Sequence, residues 1–483
     1  MSTRSPLVNA TLFSDYRLAG YYDEMFDDDA EPRDAYRGLF SGVASLGSDV
    51  FTRKTDLAGA CYLNEGITFS HHGREHPFPF DLLPRLIRAD DWAWLSAALR
   101  QRVTALDRFC SDVYGAQRCI ADGVVPRWMV VSCKGYLREM VGLRPPKDRW
   151  VHLAGIDLIR DEDGVWRVLE DNLRTPSGLS YVVQNRTFMR RVFPEAFAGY
   201  AVRRVDGAPI QLRRALMQSA PDGVADPRLV VLTPGPMNAA YYEHSFLAQQ
   251  MGVPLAEGRD LVVRNQRVYL KTTAGYDPVD VIYRRIDDAF LDPVCLRQDS
   301  LLGVPGLMGV YRAGNVALCT APGTGVADDK AMYAFVPDII RYYMGEEPLL
   351  QQVPTYLMER PDDREYVLDN LRSLVVKAVD GAGGYGILIG PHSTAEERAE
   401  FAQRIDDNPR GYIAQNTISL SRAPVFLGGR FAARHIDLRP FITYGARPEV
   451  VPGGLTRVAL KEGSLVVNSS QGGGSKDTWV LER

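Results

Sequence analysis

In the first part of the chain, a helix-like spacing of hydrophobic residues is followed by strand-like hydrophobic runs. Between Trp92 and about Asp122, apolar residues recur three and four positions apart, a spacing that predicts an amphipathic helix. Three strand-like runs follow, namely WMVVSC (128–133), HLAGIDLI (152–159) and VWRVLEDN (165–172). Residues 161–164, with the sequence DEDG, separate the last two runs and predict a tight β-hairpin.

From Leu229 the pattern changes to alternating strands and helices. RLVVLTPGP predicts a buried strand with a Gly/Pro turn, AAYYEHSFLAQQMG a helix, and residues 261–270 a pair of strands. This βαβ-like order indicates a parallel, Rossmann-like unit that extends to about Ala321. The last section begins with the helix signature ADDKAMYAFVPDIIRYYM. Its further elements are the strands LVVKAV (374–379), ILIG (387–390) and YIAQNTI (412–418) and a helix from Ala395.

These changes divide the chain into four sections. Residues 1–30 contain an acidic run and predict a mobile N-terminal lead-in. Residues 31–225 hold the first helix and the hairpin, residues 226–321 the Rossmann-like unit, and residues 322–483 a glycine-rich turn between strands. The predicted fold class is therefore α/β (α+β).

Composition narrows the function classes. The chain has 483 residues, of which 46% are hydrophobic, and this is enough for two or three packed domains. A net charge of −4 gives no general basic field, so we expect no nucleic-acid partner. The sequence lacks a signal-peptide core and any apolar run of about 18 residues, and we therefore expect no membrane association. The six scattered cysteines favour reduced thiols in a cytoplasmic protein.

The glycine-rich segment 380–386, DGAGGYG, satisfies the pattern GxGxxG. That pattern marks a dinucleotide site only when a helix follows, because the pyrophosphate sits on the helix N-terminus. Residues 387–390 are apolar and β-favouring, so this loop joins two strands. Such a loop suits a flap whose backbone N–H groups close over nucleotide phosphates, with Lys377 on the strand before it. An ordinary glycine-rich hairpin is the alternative.

The hairpin at 152–172 carries a second candidate site. Glu170 and Asn172 are two residues apart and face the same side of a strand, and counting back from the turn places Asp157 roughly opposite them. Two carboxylates and an amide oxygen form an all-oxygen site that suits Mg²⁺ bridged to phosphates. Arg174 is two residues after Asn172, is expected on the same side of the chain and could hold a phosphate or a carboxylate. The alternative is a solvated face of an edge hairpin.

The two sites together resemble the circularly permuted ATP-grasp family, type 2, which is similar to the synthetase domain of glutathionylspermidine synthase. In the unpermuted superfamily the glycine flap precedes the metal carboxylates, whereas here the carboxylates come first. The resemblance extends from about Tyr22 to the end of the chain. It rests on the blocks FPFDLLPR (78–85), GIDLIRDEDGVWRVLEDNLRTPSG (155–178), LTPGPMNAAYYEHSFLA (232–248), VIYRRIDD (281–288), APGTGVADDK (321–330), VVKAVDGAGGYG (375–386), HIDLRPF (435–441), GGLTRVAL (453–460) and NSSQGGGSKDTWVL (468–481).

This resemblance implies a fold and a set of residue roles. The fold would be a circularly permuted ATP-grasp with its metal-binding half in 31–225, a Rossmann-like pre-ATP-grasp domain in 226–321 and its nucleotide-binding half in 322–483. The residues implied at the transferring phosphoryl group or acyl phosphate are Arg174 and Arg439. The residues implied to bind ATP are Lys330, Lys377, Gly381, Gly383, Gly384, Gly386, Ile413, Gln415 and Asn416. The residues implied to bind two Mg²⁺ ions are Asp157, Glu170 and Asn172.

The implied activity is that of an ATP-dependent carboxylate–amine ligase. A carboxylate would attack the γ-phosphate, and an amine would then convert the acyl phosphate into an amide, with ADP and phosphate as the other products. The implied partners are a small-molecule or peptide carboxylate and an amine acceptor, and the sequence identifies neither of them. A small-molecule phosphotransferase and a non-catalytic nucleotide-binding protein are the alternatives.

Two further features keep two interpretations each. Arg284, Arg285 and Arg457 fit either acceptor contacts or structural ion pairs. Residues 472–477 fit either a second active-site loop or a C-terminal turn. In addition, the resemblance implies that Ile413, Gln415 and Asn416 lie on the interdomain hinge strand that holds adenine. Gln415 and Asn416 stand where many ATP-grasp enzymes carry an acidic residue, and adenine remains the expected base.

Overall fold

Strands and helices alternate along the computed structural model, which describes residues 11–71, 74–381, 386–465, 467 and 473–483. Its α-helices are α1 (Arg37–Ala44), α2 (Ser48–Asn64), α3 (Ala89–Tyr114), α4 (Arg118–Ala121), α5 (Arg127–Val131), α6 (Leu179–Val192), α7 (Ala208–Met217), α8 (Tyr241–Met251), α9 (Leu307–Arg312), α10 (Gly325–Asp328), α11 (Val336–Met344), α12 (Pro361–Asn370) and α13 (Ala395–Asp407). None of the helices in this described part has the length and hydrophobicity needed to cross a lipid bilayer.

The strands are grouped into several sheets. They are β1 (Thr68–His71), β2 (Arg74–Pro77), β3 (Phe80–Ile87), β4 (Leu153–Arg160), β5 (Trp166–Asn172), β6 (Leu229–Leu232), β7 (Leu255–Ala256), β8 (Leu261–Arg264), β9 (Arg267–Thr272), β10 (Gly275–Val279), β11 (Val281–Arg284), β12 (Ala317–Cys319), β13 (Gln351–Gln352), β14 (Thr355–Leu357), β15 (Leu374–Ala378), β16 (Ile387–Ile389), β17 (Tyr412–Asn416), β18 (Arg422–Leu427), β19 (Arg430–His435), β20 (Arg439–Tyr444), β21 (Pro448–Val458) and β22 (Gly474–Val480).

A seven-stranded mixed sheet, in the order β13-β5-β4-β20-β21-β22-β3, carries the predicted hairpin near one edge. β4 and β5 pair antiparallel, as the DEDG turn predicted. Asp161 stabilises the turn, because its Oδ1 accepts the backbone N–H groups of Asp163 (3.1 Å) and Val165 (2.9 Å). α3 packs against this sheet, where alternate β4 residues such as Ile156 and Leu158 join the main core. Asp157 therefore faces the other side of the sheet.

Asp171, the residue between the two predicted metal ligands of β5, faces that core and forms a buried ion pair with Arg102 of α3. Arg102 Nε donates to Asp171 Oδ1 at 2.7 Å and Arg102 Nη2 donates to Oδ2 at 2.6 Å. Their side chains are 1% and 2% exposed. This bidentate contact fixes β5, and with it the opposite face of the strand that carries Glu170 and Asn172.

Replacing Arg102 by leucine should lower the free energy of unfolding by about 3–5 kcal/mol, because the Asp171 carboxylate would remain buried without its partner. Urea denaturation of the two proteins measures this difference. The matched control is Arg204→Leu, since Arg204 forms a similar bidentate contact with Asp206 on the surface, where solvent screens it. A loss of stability in Arg102→Leu as small as that of the control would contradict the prediction.

A parallel four-stranded sheet in the order β12-β11-β6-β7 confirms the predicted Rossmann-like unit. α8 connects β6 to β7, a short strand that the sequence did not predict. The strand pair predicted around 261–270 is present as β8 and β9, but it belongs to a separate antiparallel sheet with β10. Ligands of such sheets bind beyond the carboxyl ends of the strands. The loop after β6 lies at that edge and lines the cleft described below.

A smaller antiparallel sheet, in the order β14-β17-β15-β16, carries the glycine-rich loop. β15 and β16 are paired neighbours, which confirms that the loop joins two strands. Val376, Leu388 and Ala414 pack with α12 and α13 on one face of this sheet. Lys377 is one residue beyond Val376 and therefore points to the opposite face, towards the seven-stranded sheet.

The N-terminal section differs from the predicted mobile lead-in. Phe13, Tyr16 and Phe26 are buried in a second core together with side chains of α1, α2 and α6. Phe13 also stacks on Phe431 of β19 with the ring centroids 4.5 Å apart. The acidic run at residues 23–29 suggested mobility, but the aromatic residues around it bury enough apolar surface to fix the segment. Residues 1–10 lie outside the described residues.

The strand predicted for WMVVSC (128–133) is wrong, because residues 127–131 form the short helix α5. Met129 and Val130 are buried, whereas Trp128 and Val131 are exposed. A short apolar run has no periodicity that separates a strand from one helical turn. The predicted helix from Trp92 to about Asp122 is present, but it is interrupted after Tyr114 and continues as α4.

Candidate active site

The hairpin β4–β5 forms the floor of a large cleft and presents the predicted metal residues there. Asp157 lies directly opposite Glu170, and Gly155 opposite Asn172, so Asp157 is roughly where the count from the turn placed it. Nearer the turn Leu158 pairs with Val168, and a β-bulge after Asp157 shifts the register by one residue, so that Asp157 pairs with Glu170 and not with Leu169. Asn172 Nδ2 donates to Glu170 Oε1 at 3.4 Å. Asp157, Glu170 and Asn172 all line the cleft, whose volume is about 1920 Å³.

Two arginines from neighbouring strands hold the Asp157 carboxylate. Arg439 on β20 donates from Nε to Oδ1 at 2.5 Å and from Nη2 to Oδ2 at 2.8 Å. Arg457 on β21 donates from Nη2 to Oδ2 at 2.7 Å. Burial alone would raise the pKa of Asp157, but Arg439 and Arg457 outweigh burial and hold that pKa well below its ordinary value. Asp157 is therefore a permanent anion in this site.

Gly155 makes room for Arg439. A Cβ atom at Gly155 would lie 3.2 Å from Cδ of Arg439 and 3.0 Å from Cβ of Pro176. The missing side chain thus lets the arginine cross β4 and reach Asp157. No sequence pattern indicates that a glycine two residues before Asp157 has this role.

Two lysines from the nucleotide-binding half face the hairpin across the cleft. Lys330 Nζ lies 3.9 Å from Glu170 Oε2 and donates to the carbonyl oxygen of Gly381 at 2.5 Å. Lys377 Nζ donates to Gln415 Oε1 at 2.7 Å. Burial lowers the pKa of Lys377 to about 8, against the attraction of Glu170, and Lys330 contributes to the same lowering. Residues more than 150 positions apart in sequence are therefore electrostatic neighbours.

The glycine loop borders the cleft where it leaves the segment after β15, at Asp380 and Gly381. Gly381 lines the cleft, and Gly386 begins the return into β16 with a φ of +69°, a value that favours glycine. Gly383 and Gly384 lie outside the described residues. Asp380, at the start of the loop, forms an ion pair with Lys134, a cleft residue from the N-terminal half that the sequence analysis did not select.

The predicted adenine-binding strand β17 is the central strand of its part of the small sheet, between β14 and β15. The Ile413 side chain is 1% exposed and packs in the main core, on the same sheet face as its cross-strand partner Lys377. Gln415 is buried and uses its amide within the protein, accepting from Lys377 and donating to Thr355 Oγ1 at 2.9 Å. Asn416 is exposed and lines the cleft. Of the three residues, only Asn416 presents an open side chain to a ligand.

An apolar slot next to this strand was missed by sequence reasoning. Its residues share one feature, which is that they line the cleft from both sheets and from the segment after β17. They are Ile159, Leu169, Val375, Ile387, Ile389, Ile418 and Leu420. The alternation of side chains along a strand could have indicated the slot, because Ile159 is two residues from Asp157 and Val375 is two residues from Lys377. In isolation, however, these positions look like core residues of ordinary strands.

Arg174 also enters the cleft, with its side chain 41% exposed. Its guanidinium lies 3.5 Å from Asp287 Oδ1 and 3.7 Å from Asp328 Oδ2. Asp328 also accepts the backbone N–H groups of Leu173 and Arg174, so it holds the chain where β5 ends. These contacts orient Arg174 and leave much of its surface open to a ligand.

The far end of the cleft is lined by residues 175–178, by Tyr181 and Tyr242, and by the loop after β6. Arg285 holds the first of these segments, donating to the carbonyl of Pro176 at 2.9 Å and to Ser177 Oγ at 2.6 Å. Arg285 is buried and paired with Glu243 at 3.1 Å.

The structure shows contacts for both features that kept two interpretations in the sequence, the arginines and the segment at 472–477. Arg284 pairs with Asp288 at 2.6 Å and donates to backbone carbonyls. Arg285 supports the cleft wall through its hydrogen bonds to Pro176 and Ser177. Residues 474–480 form the buried strand β22, in which Lys476 pairs with Asp81. Gly472 lies outside the described residues. Arg457 is different, because it lines the cleft and contacts Asp157 directly.

The donor set fits a hard divalent cation. Within the described ranges, no three His, Cys, Asp or Glu side chains are grouped so that they could hold a metal ion, and the hairpin set therefore depends on the amide oxygen of Asn172 as its third donor. Carboxylate and amide oxygens are ligands that Mg²⁺ accepts. The two facing carboxylates and the amide share one sheet face at the centre of the cleft, so their chemistry is suitable.

Two sheets that enclose one cleft, with a glycine loop on one and acidic side chains on the other, have the arrangement implied for the ATP-grasp class. Residues 84–459 match the family model described as circularly permuted ATP-grasp type 2, and the chain belongs to this family. This match confirms the predicted relationship and fold class.

Relatives match this chain over nearly its whole length. An uncharacterised protein of Synechocystis is 52% identical over 97% of this chain and 98% of its own length. A protein of Frankia alni described as a putative glutamate–cysteine ligase is 44% identical over 98% of this chain, but the match spans only 55% of that protein. The apo structure of a glutathione synthetase-like effector from Globodera pallida superposes with a TM-score of 0.60 at 13% identity. It covers 90% of this chain and 98% of that one, and it shows the shared fold alone.

Proposed function

We propose that this protein is a Mg²⁺-dependent ligase that uses ATP to join a carboxylate to an amine through an acyl phosphate. The observation that carries the proposal is the meeting of the carboxylate hairpin and the lysines of the glycine-loop half in one cleft. The cleft volume of about 1920 Å³ exceeds the roughly 300–1,000 Å³ typical of a single small-ligand site, which leaves space for a second substrate beside the nucleotide. The description of the Frankia relative as a ligase is consistent with this activity.

The nucleotide would extend from the apolar slot to the charged centre. The slot residues Ile159 and Val375 would enclose the adenine ring, and the backbone after Asn416 would contact its edge, because the backbone of β17 is committed to the sheet on both sides. Lys330 and Lys377 would bind the phosphates, and the glycine loop would close over them.

Asp157, Glu170 and Asn172 would hold the metal. Bound there, Mg²⁺ would neutralise phosphate charge and help to orient the γ-phosphate. Arg439 and Arg174 would contact the oxygens of the transferring phosphoryl group, since guanidinium groups bind phosphate in a bidentate manner.

The reaction needs no nucleophile from the protein. A carboxylate oxygen of the substrate attacks the γ-phosphorus and ADP leaves, and the cations of the cleft stabilise the charge that develops. The amine then attacks the acyl carbon, phosphate leaves, and the nitrogen loses a proton to give the amide. The carboxylate would approach along residues 175–178, and the closed glycine loop would exclude water from the acyl phosphate.

The proposal is tested by incubating the protein with ATP, Mg²⁺ and pairs of carboxylates and amines, and by following ADP release and product mass. The expected result is ADP release that requires both substrates, with a product whose mass is their sum minus water. A stable phosphorylated product formed without an amine would instead identify a phosphotransferase. Binding of ATP without ADP release for any pair would identify a non-catalytic nucleotide-binding protein.

A further inference from the structure

Arg439 occupies the space between the two carboxylates assigned to the metal. Its Nε and Nη2 donate to both oxygens of Asp157, at 2.5 and 2.8 Å. The same Nη2 lies 3.8 Å from Glu170 Oε1. A positive charge of the protein itself is therefore placed where a cation bridging Asp157 and Glu170 would have to lie.

Arg457, the second arginine on Asp157, is anchored independently. Its Nε donates to Oδ1 and Oδ2 of Asp437 at 3.0 Å each, and Asp437 is fully buried. Arg439 has a weaker second anchor, a 3.3 Å hydrogen bond from Nη1 to the carbonyl of Ser177. Arg457 would thus keep its position if its contact with Asp157 were lost, whereas Arg439 is held mainly by Asp157.

The hydrogen bonds of Asp157 leave little capacity for a metal. An ionised carboxylate offers roughly four lone-pair sites, and Arg439 and Arg457 together donate three hydrogen bonds to it. Removal of Arg439 alone would open both oxygens while Arg457 still orients the group. Phosphate oxygens accept the same two-pronged hydrogen bonds as a carboxylate, so a nucleotide offers Arg439 an equivalent partner.

We propose that Arg439 is a placeholder for the metal ion and sets the order of binding. Without nucleotide, Arg439 neutralises Asp157 and Glu170 and keeps divalent cations out. When the nucleotide enters, its phosphates draw Arg439 away from Asp157, and the metal binds in the vacated position. This inference rests on the proposed function, since it concerns the same nucleotide and metal site.

The test measures binding of Mn²⁺, as a spectroscopic substitute for Mg²⁺, by the electron paramagnetic resonance signal of the free ion. Wild-type protein should bind Mn²⁺ weakly alone and at least about tenfold more tightly with a non-hydrolysable ATP analogue, after subtraction of the Mn²⁺ that the analogue binds in a protein-free titration. Arg439→Gln should bind Mn²⁺ alone at least about tenfold more tightly than wild type, because a positive charge next to the ion is removed. The same variant should bind the analogue more weakly.

Two further variants locate the gained ion. Adding Glu170→Gln to Arg439→Gln should abolish the gain, because the ion would lose one of its two carboxylates. Arg447→Gln is the matched control, since Arg447 is 84% exposed just before β21 and should leave Mn²⁺ binding unchanged. Circular dichroism verifies folding, and the wild-type comparison with and without analogue needs no variant.

The outcomes separate this inference from the proposed function. An Arg439→Gln protein that binds Mn²⁺ no more tightly than wild type would overturn the placeholder role, and so would wild-type protein whose Mn²⁺ affinity is the same with and without the analogue. Failure of wild-type protein to bind the analogue under any condition would overturn the proposed function itself.

Discussion

Substituting Glu170 by glutamine should abolish ADP formation, with a loss of at least about a thousandfold in rate and no loss of the fold. Glutamine keeps the shape of the side chain but removes the charge that faces Lys330, Arg439 and the proposed metal. A loss of this size corresponds to about 4 kcal/mol of transition-state stabilisation, which is within the range of a metal-held phosphoryl group. Because Glu170 is 32% exposed, removing its charge should cost little folding free energy.

The measurement is single-turnover ADP formation, accompanied by thermal unfolding of both proteins. Glu162→Gln is the matched control, since Glu162 is an exposed residue of the turn in the same hairpin and lies outside the cleft lining. The control should retain the wild-type rate. Full turnover by Glu170→Gln would remove this carboxylate from the metal assignment.

The hairpin shows how much of the site was readable from sequence. The turn placed Asp157 only roughly opposite Glu170 and Asn172, and strand parity placed Glu170 and Asn172 on one face. The direct pairing of Asp157 with Glu170 depends on a β-bulge after Asp157, which the sequence did not predict. The same reasoning placed Asp171 on the opposite face, where it meets Arg102. Local geometry of this kind depends on a few neighbouring residues and is therefore predictable.

Contacts across long sequence separations were not readable in the same way. The Arg457–Asp157 contact, the ion pair of Lys134 with Asp380 and the space that Gly155 provides for Arg439 all depend on which distant segments of the chain become neighbours in the fold. The periodicity of hydrophobic residues carries no information about such contacts, and no motif distinguishes these single arginine and glycine residues from others in the chain. The order of the family blocks predicted that the two halves meet, but it did not predict which side chains neutralise which.

The role implied for Gln415 illustrates the limit of transferring a position by resemblance. The position lies in the predicted strand, yet both ends of its amide are engaged, by Lys377 and by Thr355. A charged residue at this position would have met Lys377 as an ion pair. The neutral amide leaves Lys377 without a full negative partner there, so burial dominates and lowers the pKa of Lys377.

This lowered pKa predicts that nucleotide binding depends on pH. The pKa of Lys377 is about 8 in the nucleotide-free protein, so its ammonium is largely protonated at pH 7 and largely neutral at pH 9.5. Only the protonated form attracts phosphates, and affinity for a non-hydrolysable ATP analogue should therefore fall as the pH rises through 8. The expected fall between pH 7 and 9.5 is about tenfold, which is about 1.4 kcal/mol. Calorimetric titration across this range, without turnover, measures it.

Two substitutions at the same position distinguish Lys377 from other titrating groups. Lys377→Arg should bind with little pH dependence, because a guanidinium remains charged throughout this range. Lys377→Met should bind weakly at every pH, since its charge is absent, whereas Lys271→Met, on the exposed strand β9, should follow the wild-type profile. A Lys377→Met protein that still loses affinity as the pH rises through 8 would place the titrating group elsewhere. Because the ammonium must neutralise phosphate from a buried position, the burial that shapes the binding site also sets the pH above which that site weakens.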